Sequence, residues 1–97
     1  MLKTKKFDVI NYLKTEEEIE AYLNAFLRDG DYEHIPLALA DIARARKAMT
    51  AAAKAAGVTR TNLYQSLSEE GRPAFVTVAR VAQSLGYKLT LAPLARG

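Results

Sequence analysis

The chain has 97 residues, 49% of them hydrophobic and 26% charged, and no cysteine: one small domain with a single modest core, and neither a disulfide framework nor a thiolate metal site. No apolar run approaches the length of a membrane span, and none follows the basic "MLKTKKF" as a signal peptide requires, so a cytoplasmic location is expected. The net charge of +3 conceals a split, because residues 1–43 carry five Lys/Arg against nine Asp/Glu and residues 44–97 carry nine against two, which suits the two halves to different partners.

The pattern is helical almost throughout. In "FDVINYL" Asp8 is a candidate N-cap for a short first helix. In "LKTEEEIEAYLNAFLRDG" Thr15 and Glu18 have capping-box spacing, which satisfies two free backbone donors at a helix start. Ile19, Tyr22, Leu23, Phe26 and Leu27 then follow the spacing of one apolar face. Gly30 stands where a left-handed C-cap belongs. Asp31 is placed to cap the next helix, whose inner stripe is Ile35, Leu39, Ile42 and Ala45. Pro36 predicts a late start or a kink there, since proline is tolerated only near a helix start. "MTAAAKAAG" is a short alanine-rich helix whose small side chains let a neighbour approach closely.

"GVTRTNLYQSL" reads as a sharp turn followed by a second short helix. Gly57 can take the positive φ that such a turn needs. Val58 is expected to plug the turn into the core, and Thr59 to cap the helix. Leu63 and Leu67, four apart, face inward with Ser66 beside them. Arg60, Thr61, Tyr64 and Gln65 remain on the other side. Two short helices joined by a glycine turn, the second with a polar outer face, describe a helix-turn-helix. Arg and Gln suit base edges, while Thr and Ser serve phosphates or thymine methyls. A solvated helix face is the plain alternative. The basic half-chain and the joint occurrence of these residues favour DNA.

After the turn segment "SEEGRP", a further helix places Phe75, Val78, Ala82 and Leu85 on one face and stops at Gly86. "YKLTL" then alternates Tyr87, Leu89 and Leu91 against Lys88 and Thr90, the period of a half-buried strand. Such a strand needs a ladder partner: either a second copy of itself or Lys5 to Phe7. The first pairing makes Tyr87, Leu89 and Leu91 the dimer contact. The second leaves dimerisation to helix faces such as that of Val76 and Arg80.

His34 is the only histidine, and without cysteines it makes no typical zinc site. No paired carboxylates, catalytic triad order or phosphate-cradling glycine loop stands out. The chain does not read as an enzyme, and no cofactor is expected. Tyr12, Tyr22 and Phe26 read as core or helix-interface residues rather than stacking platforms.

The run "ALADIARAR…MTAAAKAAGVTRTNLYQSLSEEGRPAFVTVARVAQSLGYKL" resembles the addiction-module antidote proteins, which are HigA-like antitoxins with a Cro/repressor-type helix-turn-helix. The upstream "DVINYLKTEEEIEAYLNAFLRDGD" resembles the same family's N-terminal extension. The resemblance covers about residues 7–91, with "DIARAR", "LYQSLS" and P-x-F-x-T-V in the expected order and spacing. Departures are Arg72 where the family has Asn, Ala74 where Ser would cap a helix, Ala51 in place of a polar residue, and an extra residue near Lys47 and Ala48.

The resemblance implies a type II antitoxin that neutralises a small RelE/ParE-like toxin and represses its own operon as a homodimer on double-stranded operator DNA. Such toxins are basic, so the acidic half is a candidate toxin-facing surface, with Glu16, Glu17, Glu20 and Asp29. Carboxylates favoured by the helix macrodipole account for the run Glu16 to Glu18 equally well. The base contacts expected are Arg60, Thr61 and Gln65. The phosphate contacts expected are Thr50, Thr59, Tyr64, Ser68 and Arg72. The expected fold is a single all-α domain of five or six helices. It comprises a helical extension (1–34), a helix-turn-helix core (35–86) and a C-terminal strand (87–92). A repressor without a toxin, and a helical protein-interaction module that has lost DNA binding, are the competing readings.

Overall fold

Thr15 and Glu18 close the reciprocal cap that their spacing predicts. Thr15 Oγ1 accepts from the Glu18 amide at 3.1 Å, and Glu18 Oε1 accepts from the Thr15 amide at 3.0 Å and the Lys14 amide at 2.8 Å. These bonds hold the Glu18 carboxyl below its usual pKa, the Lys14 amide contributing most. The helix they start, α1 (Glu16–Asp29), ends at Gly30 with φ +72°. The computed structural model describes residues 8–68 and 70–95. A 3-10 turn, Val9–Tyr12, precedes α1, with Asp8 accepting from the Ile10 amide. A second, Tyr32–His34, leads into α2 (Ile35–Ala45); α3 (Met49–Ala56), α4 (Arg60–Leu67) and α5 (Phe75–Ser84) follow.

The core is built around α2. Residues 38–43 are all buried, Asp41 among them, as happens when a helix is covered on every side. Pro36 sits in its first turn, where the missing N–H is no loss, and gives the late start expected. Ala52 and Ala53 of α3 are buried, and their small size lets α5 lie close against α3, while α1 packs on α2. Leu39, Ile42, Leu63, Leu67 and Val81 are the largest fully buried side chains, each contributing roughly 1.5–3 kcal/mol by burial.

Polar groups tie α1 to α2. Asp41 accepts from the Tyr22 hydroxyl at 2.7 Å and from Arg44 at 3.1 Å. Arg44 reaches on to Asp8 at 3.3 Å. Tyr22 also meets Phe26 edge-to-face, 5.1 Å between ring centres. Arg46 pairs with Glu16 at 3.0 Å, donates to the Leu85 carbonyl at 2.6 Å and lies over the Tyr87 ring.

Five expectations are corrected. No strand forms among the described residues. After Gly86 the Tyr87 amide turns back to the Ala82 carbonyl, which lays the Tyr87 ring on the core while Leu91 is fully exposed. Leu91 therefore does not share a packed face with Tyr87, and among the described residues the segment has no ladder neighbour. Lys5 to Phe7 lie outside the described residues. Phe75 is 73% exposed: although nearly in line with the buried Ala82 around the helix, it is the first residue of α5, ahead of the part of the stripe that Val78, Val81, Ala82 and Leu85 carry into the core. Val58 is exposed rather than a plug. Tyr12 is also exposed. Asp31 makes no helix cap; its carboxylate meets the His34 ring at 2.8 Å.

Candidate nucleic-acid interface

The α3–α4 unit is set by two local devices. Gly57, φ +76°, closes α3 by bonding its amide to the Ala53 and Lys54 carbonyls. Two residues on, Thr59 Oγ1 accepts from the Asn62 amide at 3.1 Å and starts α4. Leu63 and Leu67 are completely buried, and this fixes the rotation of α4. At about 100° per residue, Gln65 stands opposite the two leucines, with Thr61 and Asn62 on either side. All three are exposed.

Arg60 and Tyr64 occupy the flank of α4 that faces the end of α2. There Arg60, Thr61, Tyr64 and Gln65 join Arg44 and Met49 around an open cleft of about 650 Å3. The three expected base-contact residues are thus brought together on one side of one helix, with Tyr64 among them.

The expected phosphate contacts are more dispersed. Thr59 and Ser68 cap opposite ends of α4, roughly 13 Å apart at 1.5 Å per residue. Their hydroxyls already work locally: Ser68 donates to the Gln65 carbonyl at 2.7 Å, and Thr59 accepts from Asn62. Thr50 is exposed in the first turn of α3, and Arg72 is exposed in the segment before α5. Neither lines the cleft beside α4.

Asn62 is absent from the expected contacts although it is exposed on the outer face. A helical wheel drawn from Leu63 and Leu67 places it there, so the signal was in the leucine spacing. Arg44 carries no sequence signal for this face; that it borders the cleft follows from how α2 meets α4.

The acidic candidates divide. Glu16, Glu17 and Glu20 lie on one arc of α1, but Asp29 is nine residues beyond Glu20, on the opposite side. Glu16 is engaged by Arg46.

The chain belongs to the family of probable addiction module antidote proteins, which it matches over residues 3–93. It is also similar to an "Uncharacterized protein" of Haemophilus influenzae, 48% identical over 84 residues, which span 87% of this chain and 86% of the relative. No solved structure matches the chain. Membership of an antidote family points to an antitoxin with a toxin partner. Among the described residues no helix is long and apolar enough to cross a membrane.

Proposed function

We propose that the chain is a HigA-like antitoxin that binds operator DNA through α3 and α4, acting as a Cro/repressor-type helix-turn-helix, and represses its own operon. The observation that carries this reading is α4 itself. Its leucines are buried, its cap is in place, Thr61, Asn62 and Gln65 stand exposed on its outer side, and Arg60 is exposed on the flank beside them. These residue types match base edges in a major groove. In the same reading the protein is no enzyme and uses no cofactor. It neutralises a basic RelE/ParE-like toxin, and Glu17 and Glu20 are the acidic side chains of α1 best placed to meet it.

The protein acts as a homodimer in this reading, as half-sites one turn apart require. The exposed Phe75 and Val76, bordering a shallow groove with Leu89, support a contact through α5 in place of a strand ladder.

The test is binding to the DNA upstream of its own gene. Arg60→Ala and Gln65→Ala should each weaken binding by about 1–3 kcal/mol and relax sequence preference. Folding should be unchanged, because both side chains are exposed. Unchanged affinity for both variants rules out α4 as the reader.

A further inference from the structure

The cleft beside α4 does not end at Arg60. A second opening of about 440 Å3 continues from it, sharing Arg44, Met49 and Arg60 and running on to Ala43, Thr50 and Lys47. Its floor is the buried Ala43 and Met49, the half-buried Ile10 forms one apolar wall, and the rest of its rim is Arg44, Lys47, Thr50 and Arg60. The charges on that rim are not equivalent. Arg44 is held by Asp41 and Asp8, so its charge is compensated within the protein. Neither Lys47 nor Arg60 has an ion-pair partner among the described residues. Two cations without an ion-pair partner among the described residues, and the Thr50 hydroxyl, therefore border one channel, and that channel is continuous with the face of α4.

We infer that this channel takes the sugar–phosphate strand flanking the groove that α4 enters, with Lys47 pairing with phosphates along it and Arg60 standing at its mouth, where α4 reaches the bases. The inference rests on the DNA reading of α4 and extends it to Lys47, a residue of the α2–α3 turn. Arg60, the first residue of α4, stands at the junction of the two openings. A helix that enters a major groove by its N-terminal end has the bordering phosphates beside that end, and here that is where the channel lies. Lys47 is well held for the purpose: its backbone is left-handed, φ +55°, and its amide bonds to the Arg44 carbonyl at 3.1 Å.

A phosphate contact has a signature that a base contact lacks. It weakens binding equally on all sequences, and it releases a counterion. Lys47→Gly is the decisive variant, because glycine accepts the positive φ, so the charge is lost and the turn is kept. Binding is measured from low to high salt, on a duplex of the upstream DNA and on a random duplex of the same length. The expected result is a salt slope shallower by about 0.9, an equal loss on both duplexes, and recovery in Lys47→Arg. A wild-type slope retained in Lys47→Gly, while Gln65→Ala still loses sequence preference, overturns the channel and leaves the reader helix standing. Absence of duplex binding by the wild-type protein overturns both.

Discussion

Removing the Tyr22 hydroxyl should cost far more than an ordinary surface hydrogen bond. Tyr22 donates at 2.7 Å to Asp41, whose residue is only 8% exposed. A hydrogen bond to a charged acceptor contributes about 1.5–3 kcal/mol, and Tyr22→Phe loses it while keeping the ring contact with Phe26. Asp41→Ala is costlier, about 3 kcal/mol at the low end of the range for broken buried pairs. It strands the hydroxyl, but Arg44 retains Asp8 and some solvent. In the double mutant the hydroxyl has nothing left to lose, so a double-mutant cycle should give a coupling of about 1.5–3 kcal/mol. Urea unfolding and thermal melts read this directly, each kcal/mol moving Tm by about 4–8 °C in a domain of this size.

The same contact predicts an alkaline signature. Burial, and then donation to Asp41, push the Tyr22 phenol above its ordinary value of 10.0. The neutral phenol is the form that the fold favours. Its contribution is therefore complete below pH 10 and is lost as pH rises through the elevated folded-state value. Ultraviolet titration should show a late-ionising tyrosine that is missing from Tyr22→Phe. A Tyr22→Phe cost under about 0.5 kcal/mol, outside the range for a bond to a charged acceptor, refutes the argument, as does a cycle coupling near zero.

Glu18 predicts the opposite limb: its pKa is depressed from 4.5, so its contribution holds above that value and is lost as pH falls through the lowered one, and Glu18→Gln should flatten the acid limb of a stability–pH profile. Gly71→Ala should destabilise by about 3 kcal/mol, the top of the usual range for overpacking, because a Cβ there meets the backbone carbonyls of Ser66 and Gln65, which cannot swing away as a side chain would. Gly57→Ala should cost only about 1 kcal/mol, the strain of a left-handed alanine, since a Cβ at Gly57 meets nothing within 4 Å; equal costs at the two positions in denaturant titrations would contradict this. For the proposed homodimer, Phe75→Ser should lower the sedimentation mass to that of a monomer with little loss of helix signal, and an intact dimer would remove α5 from the contact.

Much of the fold was legible because its signals are local. The Thr15–Glu18 box, the Gly30 and Gly57 stops, the Thr59 cap and the Leu63–Leu67 pair each act within a few residues, where backbone hydrogen bonding sets the outcome. The face of α4 followed from the same spacing, which is why Thr61 and Gln65 stand opposite the leucines, while Arg60 and Tyr64 lie on the flank towards α2 rather than on that face.

What the amino-acid order determined by itself is where helices start and stop, and which side of each is apolar. What only the tertiary structure decided is which of those apolar and charged groups meet. Phe75 and Val58 have core-like chemistry but lie where no neighbour covers them. Tyr87 and Leu91 alternate like a strand, yet a ladder needs a second backbone and none is supplied among the described residues. Asp41 looks like one more helix carboxylate until α1 brings Tyr22 onto it. Lys47 is an ordinary turn lysine until α2, α3 and α4 converge and leave it beside Arg60. Periodicity records the direction of a side chain from its own helix axis. The partner it finds depends on how helices distant in sequence are packed.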